Sequence, residues 1–231
     1  DGSDRVKALA RRPFFAAVLA RGFSRAAYAA GFAPQSEVDL VEAWWTRGGY
    51  DAHAPQALAR QRGLIELAQR SAPDLGRNVR IRDLSLATRD VLPALEEDGL
   101  VQQVRTGHTA QFSHDIFFEW SFLHLLLDQG DEWIATLSAV GEPPALARVV
   151  ELLSQATYPL PDQWPRELHA LERAQLRPQW LRAWLVAPVF SPRFAEHADT
   201  FAASLTANGH RLFGKLLVWM QAEKTTPNPM V

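Results

Sequence analysis

Cysteine is missing altogether from the 231 residues. That excludes disulfides and thiol catalysis, removes the usual ligands of structural zinc, and suits a reducing cytoplasm. A dominant charge is missing too, with Lys+Arg 24 against Asp+Glu 26 and a formal net charge of −2. Nothing in that balance creates a chain-wide field for nucleic acid or an anionic membrane. No run of apolar residues is long enough to cross a bilayer: the longest, 116–127, falls well short of the roughly 20 residues required. No signal peptide opens the chain, so no membrane partner is expected. Disorder is excluded by what is present, since 47% hydrophobic residues with eight Trp and twelve Phe must be packed.

The stretch that organises the rest is Phe112 to Leu127, FSHDIFFEWSFLHLLL. Ile116, Phe117, Phe118, Trp120, Phe122, Leu123, Leu125, Leu126 and Leu127 leave a helix there with almost no polar face, so it must be buried on nearly every side. Ahead of it, the order helix (57–72), extended stretch (79–82), helix (90–98) and two strands about Gly107 predicts a winged helix-turn-helix. Asp90 is the expected cap of the 90–98 helix, with Pro93 in its first turn and Gly99 as its stop. Nearer the N-terminus, Pro13 is expected to open a helix and Gly22 to end it. Ser36 with Asp39 reads as a variant capping box, and Gly48-Gly49 as the stop of the helix it opens. After Leu127, helices are expected over 131–140, 143–157, 164–175, 178–187, 192–207 and 209–222.

The expected fold is therefore mostly α. A helical lid subdomain (1–54) precedes a winged-helix domain (55–128) with a small β-hairpin, followed by a helical bundle or solenoid-like domain (129–222) and a flexible tail (223–231). The DGSDRV start and the polar, proline-containing TTPNPMV end are those expected of a piece of a longer protein.

Several segments imitate catalytic motifs. Gly209 to Leu216 approaches a phosphate-binding loop, but Leu216 stands where a magnesium-binding hydroxyl is needed, and Phe201 to Thr206 reads as helix where a strand is required. Ser113, His114 and Asp115 have the residue types of a hydrolase triad, yet neighbours in sequence do not converge, and no nucleophile elbow surrounds them. The histidines lack metal-binding spacing, so no metal is expected, and His124 reads as a hydrogen-bonded core residue. Glu96, Glu97 and Asp98 read as a solvated helix end. Between Thr88 and Asp98 the single cation Arg89 faces Asp90 and that acidic trio, which argues against DNA at this helix; Arg77, Arg80, Arg82 and Arg105 are free to line another surface.

Two stretches together resemble the STAND-class P-loop NTPases, regulatory ATPases that include plant resistance proteins and bacterial defence proteins. ARRPFFAAVL at 10–19 is similar to the family's lid-helix motif, and FSHDIFFEW at 112–120 to its Met-His-Asp motif, with Phe112-Ser113 in place of the Met. The resemblance implies that Pro13 packs by an adenine, that His114 reaches the β-phosphate of ADP, and that Asp115 supports the local turn beside Phe112. It covers residues 5–128 and lacks the Walker A and B segments, so no enzyme activity is expected of the chain by itself. ATP or ADP would be held through an N-terminal P-loop domain of the same protein, the implied partner alongside a protein trigger or a second copy. The expected function is that of a non-catalytic, cytoplasmic regulatory fragment, with a winged-helix DNA-binding regulator carrying a helical effector domain as the alternative.

Overall fold

The computed structural model describes residues 6–7, 9–22, 33–50, 54–74, 78–207 and 209–224. Their structure is mostly helical with one small antiparallel sheet, as expected. Two compact units divide the chain, Asp1–Asp128 and Gln129–Val231. Among the described residues, no helix is long and apolar enough to cross a membrane.

In the first unit, α1 (Pro13–Gly22) begins at Pro13, whose fixed φ and missing N–H suit a first helical position. Helix α2 (Glu37–Trp45) opens on the predicted capping box: Ser36 Oγ accepts the Asp39 N–H at 3.3 Å, and Asp39 Oδ2 accepts the Ser36 N–H at 3.0 Å. It stops before Gly48 and Gly49, with φ of +61° and +102°. Gly48 also lies so close to α3 (Ala54–Ser71) that a Cβ there would stand 2.7 Å from the Ala57 backbone. Strand β1 (Val79–Arg80), a 3₁₀ turn over Ile81–Asp83 and α4 (Leu86–Glu97) follow, then β2 (Val101–Arg105), β3 (Thr109–Phe112) and α5 (Asp115–Asp128). The strands lie in the order β1-β3-β2, all antiparallel.

Helix α5 is the buried element that its composition requires. Phe117, Phe118, Trp120, Ser121, Phe122, Leu123, His124, Leu125 and Leu126 are all buried, and α3 packs along it. Ile116 and Leu127 are half-buried. Trp120 is fully enclosed and donates its indole N–H to buried Glu37 of α2 at 3.2 Å.

Helix α4 starts earlier than the sequence suggests. Its cap is Ser85, whose Oγ accepts the Thr88 N–H at 3.2 Å, rather than Asp90, and Pro93 sits inside the helix instead of in its first turn. The cause lies 19 residues away. Glu66 of α3 accepts from Ser85 N at 2.8 Å, Ser85 Oγ at 2.6 Å and Thr88 Oγ1 at 2.5 Å, clamping the helix start to α3. The C-terminal stop is as expected: Gly99 takes φ +69°, and the Leu100 N–H returns to Leu95 O at 2.9 Å.

The second unit is a series of short helices: α6 (Trp133–Ala139), α7 (Ala147–Thr157), α8 (Gln163–Arg173), α9 (Pro178–Val186), α10 (Ala198–Thr206) and α11 (Arg211–Lys224). Four of the expected helices are shortened by 3₁₀ turns, at Gly130–Glu132, Pro144–Leu146, Ala187–Phe190 and Phe194–His197. The core is built of indoles. Trp184 stacks on Trp133 at 5.3 Å and on Trp164 at 6.2 Å between ring centres, and α7 packs against α9. A buried indole N–H usually finds a polar partner, and three of the four here do, while Trp184 Nε1 has none among the described residues. Trp133 donates to Glu167 at 2.6 Å, Trp164 to Ser154 Oγ at 2.9 Å, and Trp180 to Glu142 at 2.6 Å. Burial pushes the Tyr158 hydroxyl up to about 12, and that hydroxyl donates to Phe194 O at 3.1 Å.

Candidate functional site at the start of helix α5

The chain between β3 and α5 carries the predicted site residues. Ser113 follows β3 directly, with its N–H on Leu100 O at 3.0 Å and its hydroxyl on Gly99 O, so it is tied to the end of α4 and is not aimed at His114. This removes the triad reading. Asp115 is the first residue of α5 and exposed, its charge at the positive end of the helix dipole. Phe112 is half-buried and meets Phe118 edge-on at 5.9 Å.

His114 immediately precedes α5 and is exposed. Its Nδ1 accepts the Ile116 N–H at 3.2 Å, a cap bond that satisfies one of the free amides of the helix start. An accepting Nδ1 in the neutral ring leaves the proton on Nε2, which makes Nε2 a donor. The ring also meets Phe14 of α1 at 4.5 Å between centres. Phe14 contacts Phe117 at 5.2 Å and Trp120 at 6.0 Å, so the residue beside Pro13 is wedged between His114 and the root of α5. Pro13 itself is exposed at the start of α1. Two motif segments about 100 residues apart in sequence are thus joined through a cluster of aromatic contacts, completed by Phe15 stacking on Trp120 at 6.4 Å.

The same unit holds a polar cluster formed by Arg60, Asp98, Arg21 and Tyr50. Arg60 of α3 is buried and paired with Asp98, while Arg21 of α1 stands 5.0 Å above the Tyr50 ring. Burial raises the Tyr50 hydroxyl, Arg21 pulls it back, and Asp98 adds to the rise. The acidic end of α4 is accordingly not a plain solvated face. Asp98 is committed to Arg60, and Glu96 accepts from Gln103 of β2 at 2.8 Å. One signal was readable: negative charge at a helix C-terminus opposes the dipole and calls for a local partner.

His124 is a core residue, but its Nε2 is not hydrogen-bonded as expected: that atom is buried without a partner among the described residues. The ring is held by stacking on Trp45, 4.0 Å apart and within 4° of parallel. Desolvation lowers its pKa to about 3, so it stays neutral. In the second unit, Gly209 and His210 take positive φ between helices α10 and α11. A helix precedes them, not a strand, which excludes a phosphate-binding loop there.

The chemistry offered at His114 is that of an exposed, rigidly capped N–H donor next to an aromatic wall. It suits an anionic oxygen such as that of a phosphate, and it contains no nucleophile and base in register. Neither a protein-family model, nor a curated protein, nor a solved structure matches this chain.

Proposed function

We propose that this chain is the non-catalytic regulatory part of a STAND-like signalling ATPase. Lid helix α1, a winged helix formed by α3 to β3, and a helical sensor region would together couple bound nucleotide to domain arrangement in the cytoplasm. A P-loop domain of the same protein would supply the Walker segments, the magnesium site and any hydrolysis. The observation that carries the reading is the contact of Phe14 with His114, which brings the proline-bearing start of α1 to the histidine at the head of α5. The donor set fits ADP: with Nδ1 spent on the Ile116 amide, Nε2–H is the group that would donate to a phosphate oxygen, and exposed Pro13 supplies an apolar edge for a base. Bound ADP would contribute the negative charge that makes the arrangement two-state, and loss of that contact would release it.

The test is the dissociation of fluorescent ADP from protein containing both this chain and the P-loop domain, with and without His114→Ala. Dissociation should quicken about tenfold, as for loss of one charge-assisted hydrogen bond. An unchanged rate in a variant with unchanged melting temperature would refute the assignment.

The alternative, a winged-helix DNA-binding regulator, is favoured by the sheet order β1-β3-β2 behind α4. Against it stands the charge of α4, where the single cation Arg89, which hydrogen-bonds Leu84 O at 3.1 Å, is outnumbered by exposed Asp90 and Glu97. Tight duplex binding that weakens steeply with salt would reverse the order of the two readings.

A further inference from the structure

At the end of β3 remote from His114, the sheet gathers cations. Thr109 pairs with Arg80 of β1 on one side and with Arg105 of β2 on the other. Residues directly paired across antiparallel strands project to the same face. The face therefore carries a row of guanidinium, hydroxyl and guanidinium.

A β-bulge creates this row. Gln103 pairs with Ala110, and the next pair is Arg105 with Thr109, so Val104 is the extra residue. In a regular ladder Val104 would stand opposite Thr109; the bulge puts a cation there and leaves the valine half exposed, at 52%. The hairpin turn completes the arrangement. Gly107 takes φ +74° and donates its N–H to Gln103 Oε1 at 2.5 Å, and Gln103 is itself braced by Glu96. His108 O accepts the Ile81 N–H at 2.9 Å, which ties the turn to the segment bearing Arg82.

Arg80, Arg82, Arg105, Gly107, His108 and Thr109 line a polar pocket of about 290 Å³. Among the described residues Arg80 and Arg105 have no ion-pair partner, and Arg82 has only exposed Asp83 at 3.7 Å. Thr109 Oγ1 is buried with no hydrogen-bond partner among them. Like charges on one sheet face repel, and an orphaned buried hydroxyl carries a desolvation cost. A phosphate relieves both at once: guanidinium groups bind its oxygens as paired donors, and a further oxygen accepts from the threonine.

We infer that this pocket is a second anion site, distinct from His114, which binds a small, multiply charged phosphate compound of the diphosphate class. Its concave shape and its volume of about 290 Å³ suit a small anion better than a duplex.

The experiment is calorimetric titration of the whole chain with pyrophosphate at constant ionic strength. Binding should be millimolar or tighter, about −4 kcal/mol or better. Arg80→Gln and Arg105→Gln should each weaken it about tenfold, Thr109→Val about threefold, and Arg62→Gln, an exposed site on α3, should leave it unchanged. In the unaltered protein, amide shifts on titration should centre on Gly107, His108 and Thr109, which keeps the test decisive if a variant misfolds. Absence of binding, shifts spread over unrelated arginines, or an equal loss in Arg62→Gln would overturn the inference. So would a DNA duplex that binds through Arg80 and Arg105 more tightly than pyrophosphate, since it would make the site a nucleic-acid contact. The arginine variants and the amide shifts at Gly107, His108 and Thr109 report this pocket alone, and so distinguish it from a phosphate held at His114.

Discussion

His124 sets up a pH test of the first unit's core. Its ring is pressed flat against Trp45, and Nε2 has no partner among the described residues, so the folded protein accepts a proton there only near pH 3, against 6.5 for a free histidine. The folded pKa is depressed. The unfolded chain therefore binds the extra proton first, and stability present above the unfolded value is lost as pH falls from 6.5 towards 3. Between pH 7 and pH 5 the unfolded histidine goes from mostly neutral to almost fully charged while the folded one stays neutral, a loss of about 2 kcal/mol. His124→Phe keeps a flat ring on Trp45 and removes the titration. Urea unfolding of both proteins at the two pH values gives the result as a difference of differences, in which the other histidines cancel. The parent should lose about 2 kcal/mol more than the variant. Equal losses would show that water or a neighbouring group stabilises the charged ring, and would refute the desolvation argument.

Trp120→Ala should destabilise the protein by about 3–5 kcal/mol in the same assay, because it empties the centre of α5 and strands Glu37; a cost below about 1 kcal/mol would remove α5 from the core. Glu66→Ala should cost about 1–2 kcal/mol by freeing the start of α4. Burial raises the Glu66 carboxyl, but hydrogen bonds from Ser85 and Thr88, helped by Arg70, outweigh it and hold it below the ordinary value. That contribution is present above the unfolded value of 4.5 and fades as pH falls below it, so the parent and Glu66→Ala should converge in melting temperature in acid.

Features with a local cause could be read from the sequence. The Ser36–Asp39 box, the stops at Gly48-Gly49 and Gly99, the hairpin about Gly107 and the enclosure of α5 each follow from a few adjacent residues. The start of α4 could not be read this way, because the residue that makes Ser85 the cap is Glu66 on another helix, and a local reading settles on Asp90. His114 stood out by its motif, whereas its contact with Phe14 depends on how α1 lies on α5. The cation pocket was visible only as scattered arginines. Strand register decides which side chains share a face, and a single bulged residue, Val104, changes that register in a manner composition does not encode. Arg77 lies outside the described residues.

Ser154 occupies a demanding position in the second unit. Its hydroxyl accepts from the Trp164 indole at 2.9 Å and donates to Trp184 O at 2.7 Å, so one oxygen on α7 serves α8 and α9 together. A hydroxyl has a single proton to give, and here its direction is dictated. The three helices are consequently keyed to one another at an atom instead of merely greased together by aromatic surface: sliding α7 by a residue would break both bonds at once, and sliding α8 or α9 would break one. Alanine at this position would leave an indole and a carbonyl stranded in a dry core, while valine would add bulk without restoring either bond. Random variation should therefore find the stacked tryptophans easier to exchange for other large rings than this small serine for anything else, and the most replaceable-looking residue of the core becomes its least forgiving.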